Sequence, residues 1–247
     1  MTWRLGWAMA VGLVCTAPAG AAISFDVETG VAFGGYNDVR IPPDTGTQFS
    51  LTEDLETDPN LFVRLRASTW LGERHQLSLL IAPLTLHASG TSDRAIQFNG
   101  AEFPAGTDLT ALYVFNSYRL TYRYAIWRAA RAALDLGVSA KIRDAEIRLE
   151  GNGASSSKTN TGFVPLISFG FAWQAHPRLD LILDGDALAA PGGQGRAEDV
   201  FIGMRWRARK TTALRVGYRM LEGGADVEEV YNFALIHYLA VGCEFGL

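Results

Sequence analysis

Two pairs of residues have the types and spacing that hydrolytic chemistry needs. His87 and Ser89 lie two positions apart, as do Asp184 and Asp186, so each pair shares one face if its segment is a β-strand. A histidine beside a serine or a carboxylate can act as a general base toward a nucleophile or a water molecule. The His-x-Ser spacing is common by chance and no nucleophile elbow surrounds it. The sequence therefore favours a protein without catalysis, and these four residues are its candidate catalytic residues.

Composition argues against metals, cofactors and nucleic acids. The 247 residues contain two cysteines, Cys15 and Cys243, with no CxxC motif or Cys/His cluster, so a zinc or redox-motif site has no ligands. The net charge is −4 and the charges are scattered, whereas a nucleic-acid binder carries a basic stripe. The Gly-rich stretch at 192–195 follows a strand-like segment, but no helix follows it to hold a phosphate. We expect no metal, no cofactor and no nucleic-acid partner.

The N-terminus has the order of a secretory signal peptide. Arg4 precedes an apolar run over 5–16, and small residues follow over 17–22. The run is shorter than the roughly 20 residues of a spanning helix, and Val14 before Cys15 does not fit a lipoprotein cleavage site. We expect residues 1–21 to be a signal peptide, with cleavage after Ala21 or Ala22, and residues 22–247 to form one exported domain.

The exported part alternates between apolar and polar residues about ten times, with turn residues between the segments. This period of two is the pattern of β-strands with one apolar face. In one clear example, Leu120 and Tyr122 alternate with Arg119, Thr121 and Arg123. The segments cover approximately 23–34, 61–68, 76–87, 112–126, 134–143, 162–174, 179–186, 199–207, 214–220 and 232–247.

The distribution of charged residues indicates which medium the apolar face contacts. In a soluble barrel the apolar faces point inward and the charges outward. Here the apolar faces hold almost no ion, and the opposite faces are rich in Gly, Ser, Arg and Asp. The pattern predicts a closed, antiparallel, up-and-down transmembrane β-barrel of about ten strands, with eight as the alternative, whose apolar face meets lipid.

Connection lengths and tryptophans agree with this architecture. Long connections are expected at about 41–60, 88–108, 150–161, 187–198 and 221–231, and short turns at 72–75, 128–133, 175–178 and 208–212. Long external loops and short periplasmic turns are typical of outer-membrane barrels. Each tryptophan outside the predicted signal peptide precedes a short turn, where an interfacial girdle would lie. Two of the four are out of phase with the apolar faces of their strands, so they fit the girdle only if the register slips near the turn. The girdle residues are Trp70, Trp127, Trp173 and Trp206, of which Trp70 and Trp127 are out of phase.

Opposite charges would meet across the narrow lumen. Since isolated charges are costly at low dielectric, the sequence favours an ion-pair network that fills the lumen, and a selective conduit lined by the same groups is the alternative. The predicted network contains Arg64, Arg66, Arg119, Arg123, Asp135, Lys141, Arg143, Asp180, Asp184, Asp199, Arg205, Arg215 and Arg219.

The whole exported chain resembles the bacterial outer-membrane β-barrel proteins of the small, about ten-stranded type. The segment from Tyr118 to Tyr124 and the closing strand from Phe233 carry the resemblance. It implies a location in the outer membrane, contact with its lipids and lipopolysaccharide, and assembly through the C-terminal strand. That strand commonly ends in Phe, and this chain departs from it with Phe245-Gly246-Leu247.

Three functions remain open from the sequence. The first is an outer-membrane protein of structural or narrow-channel type with an ion-paired lumen. The second is a barrel enzyme that acts on lipid A or peptide at the external rim, where His87 and Asp184 would lie. The third is a periplasmic ligand-binding barrel. Acidic stretches at 53–58 and 222–229 could collect divalent cations that bridge lipopolysaccharide, but scattered carboxylates are more often solvated loop surface.

Overall fold

The computed structural model describes residues 23–189 and 195–247. The predicted signal peptide and most of the Gly-rich 192–195 stretch lie outside the described residues. No helix in the described ranges is long and apolar enough to cross a membrane. The strands are β1 (Ile23–Arg40), β2 (Phe49–Ser50), β3 (Glu56–Thr57), β4 (Asn60–Leu71), β5 (His75–Ala82), β6 (Thr85–Thr91), β7 (Ile96–Phe98), β8 (Ala101–Phe103), β9 (Asp108–Arg128), β10 (Ala132–Gly151), β11 (Ala154–His176), β12 (Leu179–Ala189), β13 (Gly195–Arg207), β14 (Thr212–Val227) and β15 (Val230–Gly246).

Ten of these strands form a closed antiparallel ring. The hydrogen-bonded order is β1, β4, β5, β9, β10, β11, β12, β13, β14 and β15, and β15 pairs back with β1. The strand is interrupted at Pro83 and Leu84, and beyond them β6 pairs with the part of β9 farther from the short turns. Through the pairing of β15 with β1, every strand of the ring has two hydrogen-bonded neighbours, as a lipid solvent demands. The predicted up-and-down barrel of about ten strands is confirmed, and the eight-stranded alternative is wrong.

The apolar faces of the strands point away from the barrel axis. Leu120 and Val138 are 48% and 62% exposed, whereas Arg119 and Lys141 are 3% and 2% exposed. On β11 the outward apolar residues extend from Phe163 to Trp173. Ten steps of about 3.3 Å on a strand tilted by about 40° give a band roughly 25 Å high, the height of the apolar band of outer-membrane barrels.

The short turns lie where the sequence predicts them, and three of the five long connections do not. The strands end at turns 72–74, 129–131, 177–178 and 208–211. At the opposite end, β10 and β11 are joined by Asn152 and Gly153 alone, and β14 and β15 by Glu228 and Glu229. The predicted loops at 150–161 and 221–231 are therefore wrong, and most of 187–198 belongs to β12 and β13. The strands continue beyond the apolar band as paired hairpins.

The two remaining long connections fold into the barrel mouth at the hairpin end. Residues 41–59 contain β2 and β3, which pair with β1 and β6, and residues 92–107 contain the β7–β8 hairpin. Asn99 joins that hairpin to the β10–β11 hairpin, since its side-chain amide donates to the carbonyl of Ser157 at 2.8 Å. We call these two segments, 41–59 and 92–107, the plug.

Candidate functional site

The charged lumen is built by the inward positions of neighbouring strands. At its centre Asp199 of β13 accepts hydrogen bonds from three guanidinium groups. Its Oδ2 lies 2.8 Å from Arg64 Nη2 and 2.5 Å from Arg119 Nη2, and its Oδ1 lies 2.5 Å from Arg219 Nη1. Arg219 also donates to Glu28 through Nε at 2.7 Å. All five side chains are buried, so the guanidinium groups depend on nearby carboxylates rather than on water for their counter-charge.

A second cluster extends from this centre along β12. Asp186 lies 2.7 Å from Arg119 Nη1, and Asp184 accepts from Arg123 and, at 3.3 Å, from Arg66. Arg123 also donates through Nε to Ser168 Oγ at 2.8 Å. A serine opposite a guanidinium satisfies an N–H that a carboxylate does not reach, which explains the mixed Ser and Arg composition of the inward faces.

A third cluster lies closer to the short turns. Asp180 accepts from Arg205 at 2.9 Å and from Arg207. Arg215 bridges β14 to β1 and β15 through Asp26, Glu28 at 3.1 Å, and Glu244 at 3.3 Å. Glu28 joins the first cluster to the third, and Arg119 joins Asp186 to the first. Among the described residues, Arg66, Asp184 and Arg123 form a separate ion-paired triad beside this connected network.

Three predicted members differ from this pattern. Lys141 is buried on β10, but no carboxylate of the described residues lies within ion-pair distance of it, and its Nζ lies 4.6 Å from the centre of the Phe115 ring. Arg143 donates to Asn160. Asp135 pairs with Arg128 at 2.5 Å, at the turn end, apart from the connected network.

Apolar side chains fill the lumen above the charged layer. Phe49, Ile96, Phe98 and Phe103 of the plug are at most 1% exposed, and they pack with inward residues of the wall. The wall residues in contact with the plug layer include Leu86, Leu109, Tyr113, Ile147, Leu149, Ile236 and Tyr238. The barrel is therefore filled by ions at one level and by a conventional hydrophobic core at the next.

Two cavities among the described residues of the barrel interior are small. One lies at the junction of the layers, beside Phe62, Phe115 and Arg119, and the other lies among Asp26, Arg66 and neighbouring charges. Each has a volume of about 10 Å³ for a water-sized sphere, which is room for one water molecule. Neither cavity can hold a substrate.

The two pairs of candidate catalytic residues lie on opposite sides of the barrel wall. His87 and Ser89 are exposed on the outward face of β6, because the inward positions of that strand are Leu86 and Ala88. Asp184 and Asp186 point into the lumen, where arginines hold them. The wall therefore separates His87 from both aspartates, so the His/Asp arrangement is not assembled, whereas His87 and Ser89 share the outward face of β6.

The four tryptophans of the described residues lie at the turn end. Trp127, Trp173 and Trp206 are exposed on the outer surface. A β-bulge turns Trp127 outward, since its partner Leu134 is followed by Asp135 opposite Ala125, which leaves Ile126 as the extra residue. Trp70 keeps its inward phase, is only half-buried, and has the Arg128 guanidinium 5.6 Å from its ring centre.

The plug is the part of the site that sequence reasoning missed. The signal was present in Asn99-Gly100, which is flanked by the alternating triplets 96–98 and 101–103. Asn-Gly between alternating residues is a strong hairpin signal, because both central residues of that turn need positive φ. Asn99 and Gly100 have φ of 46° and 84°, and the same dipeptide closes the β10–β11 hairpin, with φ of 49° at Asn152 and 76° at Gly153.

Known proteins resemble this chain in structure and not in sequence. No family model matches the chain, and no curated protein matches it. The outer membrane protease OmpT from Escherichia coli superimposes with a TM-score of 0.56 at 8% identity, over 92% of this chain and 97% of that one. The transport unit of the autotransporter AIDA-I from Escherichia coli gives a TM-score of 0.46 at 9% identity, over 97% and 95% of the two chains. The fold is that of the bacterial outer-membrane β-barrel proteins. At this identity the likeness extends to the fold and not to an activity.

Proposed function

We propose that this chain is an integral outer-membrane protein of structural type, whose barrel is closed to ions and solutes. The observation that carries the proposal is the filled lumen. Ion-paired side chains occupy the half near the turns, apolar plug residues occupy the other half, and the two cavities described above each have room for one water molecule. A conduit needs a continuous water path. Guanidinium groups that are already paired with carboxylates are not free to coordinate a passing ion.

The proposed orientation places the short turns in the periplasm and the hairpins outside the cell. It rests on the general asymmetry of such barrels and on the outward residues of the β10–β11 hairpin. On β10 the outward side chains change from Leu136, Val138 and Ile142 to Asp144 and Glu146. This change marks the edge of the lipid-facing band, beyond which the strands stand in water. Export through the N-terminal segment, assembly through β15 and contact with lipopolysaccharide belong to the same proposal.

Planar-bilayer recording tests the closed state. The purified protein is expected to insert without producing stepwise current in 1 M salt. The matched variant lacks residues 93–105 and joins Ser92 to Gly106, which removes the β7–β8 hairpin and leaves the wall strands unchanged. Brief or small current steps in this variant, against silence in the parent, support a lumen closed by two layers. Stable steps in the parent protein would favour the narrow-channel alternative.

Cell fractionation tests the membrane location against the periplasmic alternative. We expect the protein to stay with the outer membrane after osmotic shock and to need detergent for release. A protease site placed at the Asn152-Gly153 turn should be cut in intact cells, and the same site at Pro177-Arg178 should be cut only after the outer membrane is opened. The reverse pattern would invert the orientation, and release by osmotic shock would remove the membrane proposal.

A rim enzyme has no support in the assembled residues. The likeness to the protease OmpT is one of fold, and in this chain His87 lies on the outer surface, apart from Asp184 and Asp186. Exchange of His87 for Ala is expected to leave any hydrolysis of lipid A or peptide by the purified protein unchanged.

A further inference from the structure

The two ends of the barrel carry opposite charge. All four short turns contain an exposed cation, and Glu73 is the only carboxylate within turns 72–74, 129–131, 177–178 and 208–211. At the hairpin end, by contrast, the 41–59 connection has five carboxylates and no cation, and 221–231 has four carboxylates and no cation. The turn cations are Arg74, Arg131, Arg178, Arg209 and Lys210.

These five cations form no ion pair within the described residues. The ion pairs of the described residues involve Arg128 and Arg207 near the same turns, but none of the five turn cations lies within 4.0 Å of a carboxylate. Their side chains are exposed, and neither the lumen network nor the plug contacts them. Their charge is therefore available to a partner.

Aromatic residues place this charge at the edge of the lipid-facing band. Trp127 precedes Arg131 by four residues, and Trp206 precedes Arg209 by three. At the first turn the Arg74 guanidinium lies 6.0 Å from the centre of the Tyr124 ring, and His75 Nδ1 lies 2.8 Å from the hydroxyl of Tyr122. Tryptophan and tyrosine at this position mark the headgroup level of a bilayer.

The turns are too short to carry the cations beyond that level. They contain two to four residues, and the headgroup region extends only about 5–7 Å beyond the hydrocarbon core on each side. A basic side chain beside the aromatic band therefore meets lipid phosphates before it meets a periplasmic macromolecule. Cations near an anionic membrane surface are attracted to it, and the attraction weakens with salt.

We propose that the turn end of the barrel binds the headgroups of anionic phospholipids in the adjacent leaflet. The ligand chemistry is a phosphodiester with net negative charge, as in phosphatidylglycerol, held by the five turn cations around the barrel. The inference rests on the proposed membrane location and adds a lipid class and a leaflet to it. The acidic hairpin end would repel the same headgroups.

The tryptophans allow a direct test, because those of the described residues all lie at the turn end. The full-length gene product is purified from membranes, and its intact mass establishes whether Trp3 and Trp7 are present. It is reconstituted in phosphatidylcholine vesicles with increasing fractions of brominated phosphatidylglycerol or brominated phosphatidylcholine. We expect tryptophan quenching to give about a fivefold or larger preference for the anionic lipid at low salt, with most of it lost in 0.5 M NaCl.

A fourfold variant should lose the preference for anionic lipid. It carries Arg131→Gln, Arg178→Gln, Arg209→Gln and Lys210→Gln. The matched control carries Arg148→Gln and Lys158→Gln at the hairpin end and should keep it. Equal quenching by both lipids in the parent protein, or a preference that survives the four exchanges, would overturn the inference while leaving the membrane location intact. Absence of quenching by either lipid would overturn both. If the fourfold variant does not fold, a preference that 0.5 M NaCl leaves unchanged in the parent protein overturns the inference.

Discussion

The two halves of the barrel use the same strands in opposite ways. In the half near the turns, β9 points Arg119 and Arg123 inward and Leu120 outward. In the half near the hairpins, the same strand points Leu109 and Tyr113 inward. One strand therefore passes from an inside-out arrangement to the ordinary arrangement of a soluble protein without any change of pairing partner on its β10 side.

On β10 the reversal falls within a few residues. Below it Val138 and Ile142 point outward and Lys141 inward, and above it Asp144 and Glu146 point outward and Ile147 inward. Both arrangements follow the same rule, since the polarity of each strand face matches the medium that the face contacts. Lipid surrounds the lower half and water surrounds the upper half, so the position of the reversal indicates the edge of the membrane.

The charged half is expected to be the more sensitive to a single substitution. Asp199→Asn removes the charge shared by Arg64, Arg119 and Arg219, and the loss of one partner from a buried ionic cluster costs about 3–5 kcal/mol. Urea unfolding in detergent micelles, followed by tryptophan fluorescence, measures the change in the free energy of unfolding. Asp226→Asn, at an exposed position of β14 with no ion pair among the described residues, is the control and should cost almost nothing. Equal losses in the two variants would mean that the network does not stabilise the barrel.

In the apolar half, a core substitution is expected to unfold the plug locally and leave the barrel wall folded. Phe98→Ala removes a fully buried ring from the plug, a change that costs about 3–5 kcal/mol where the cavity cannot collapse. Because the plug is made of connections and the wall strands pair without it, we expect faster tryptic cleavage after Arg94 with little change in the unfolding of the barrel. Phe163→Ala, which removes the same ring from the lipid-facing surface, should not change that cleavage. Loss of the whole barrel in the Phe98 variant would show that the plug and wall fold as one unit.

The boundary between the halves can be located with arginine. Val138→Arg puts a charge on the lipid face of β10, and arginine near the middle of the bilayer costs an outer-membrane barrel about 2–4 kcal/mol. Ser155→Arg, which faces outward on the same hairpin beside Glu150, should cost about zero because it lies in water. Unfolding in lipid vesicles compares the two variants. A similar cost at both positions would contradict the reversal inferred from the outward residues.

The comparison also explains what the sequence could predict. Where lipid surrounds the barrel, outward apolar and inward polar residues alternate strongly along each strand, and this alternation predicts the ten strands and the four short turns. Above the band the outward face becomes polar, as in the Ser-rich segment of β11, and such a segment is indistinguishable from a loop unless its Asn152-Gly153 turn is taken as a hairpin signal.

The details of the lumen depend on distances that no strand pattern contains. Arg66, Arg123 and Lys141 have the same inward phase, but only the two arginines reach a carboxylate across the barrel. The partner of an inward charge is set by the relative height of strands that are remote in sequence, such as β4 and β13 for Arg64 and Asp199. The outward turn of Trp127 likewise depends on one bulge.

The smallest expected effect belongs to an ion pair in water at the hairpin end. Lys158 Nζ lies 3.0 Å from Glu229 Oε2, a distance similar to those around Asp199, but the glutamate side chain is 70% exposed. Water already solvates both groups, so Lys158→Gln should lower the free energy of unfolding by less than about 1 kcal/mol. A double-mutant cycle with Glu229→Gln isolates the pair, and its coupling energy should vanish in 0.5 M salt. A coupling above about 2 kcal/mol would mean that this contact holds the β10–β11 and β14–β15 hairpins together, and that burial does not account for the difference between the two ends.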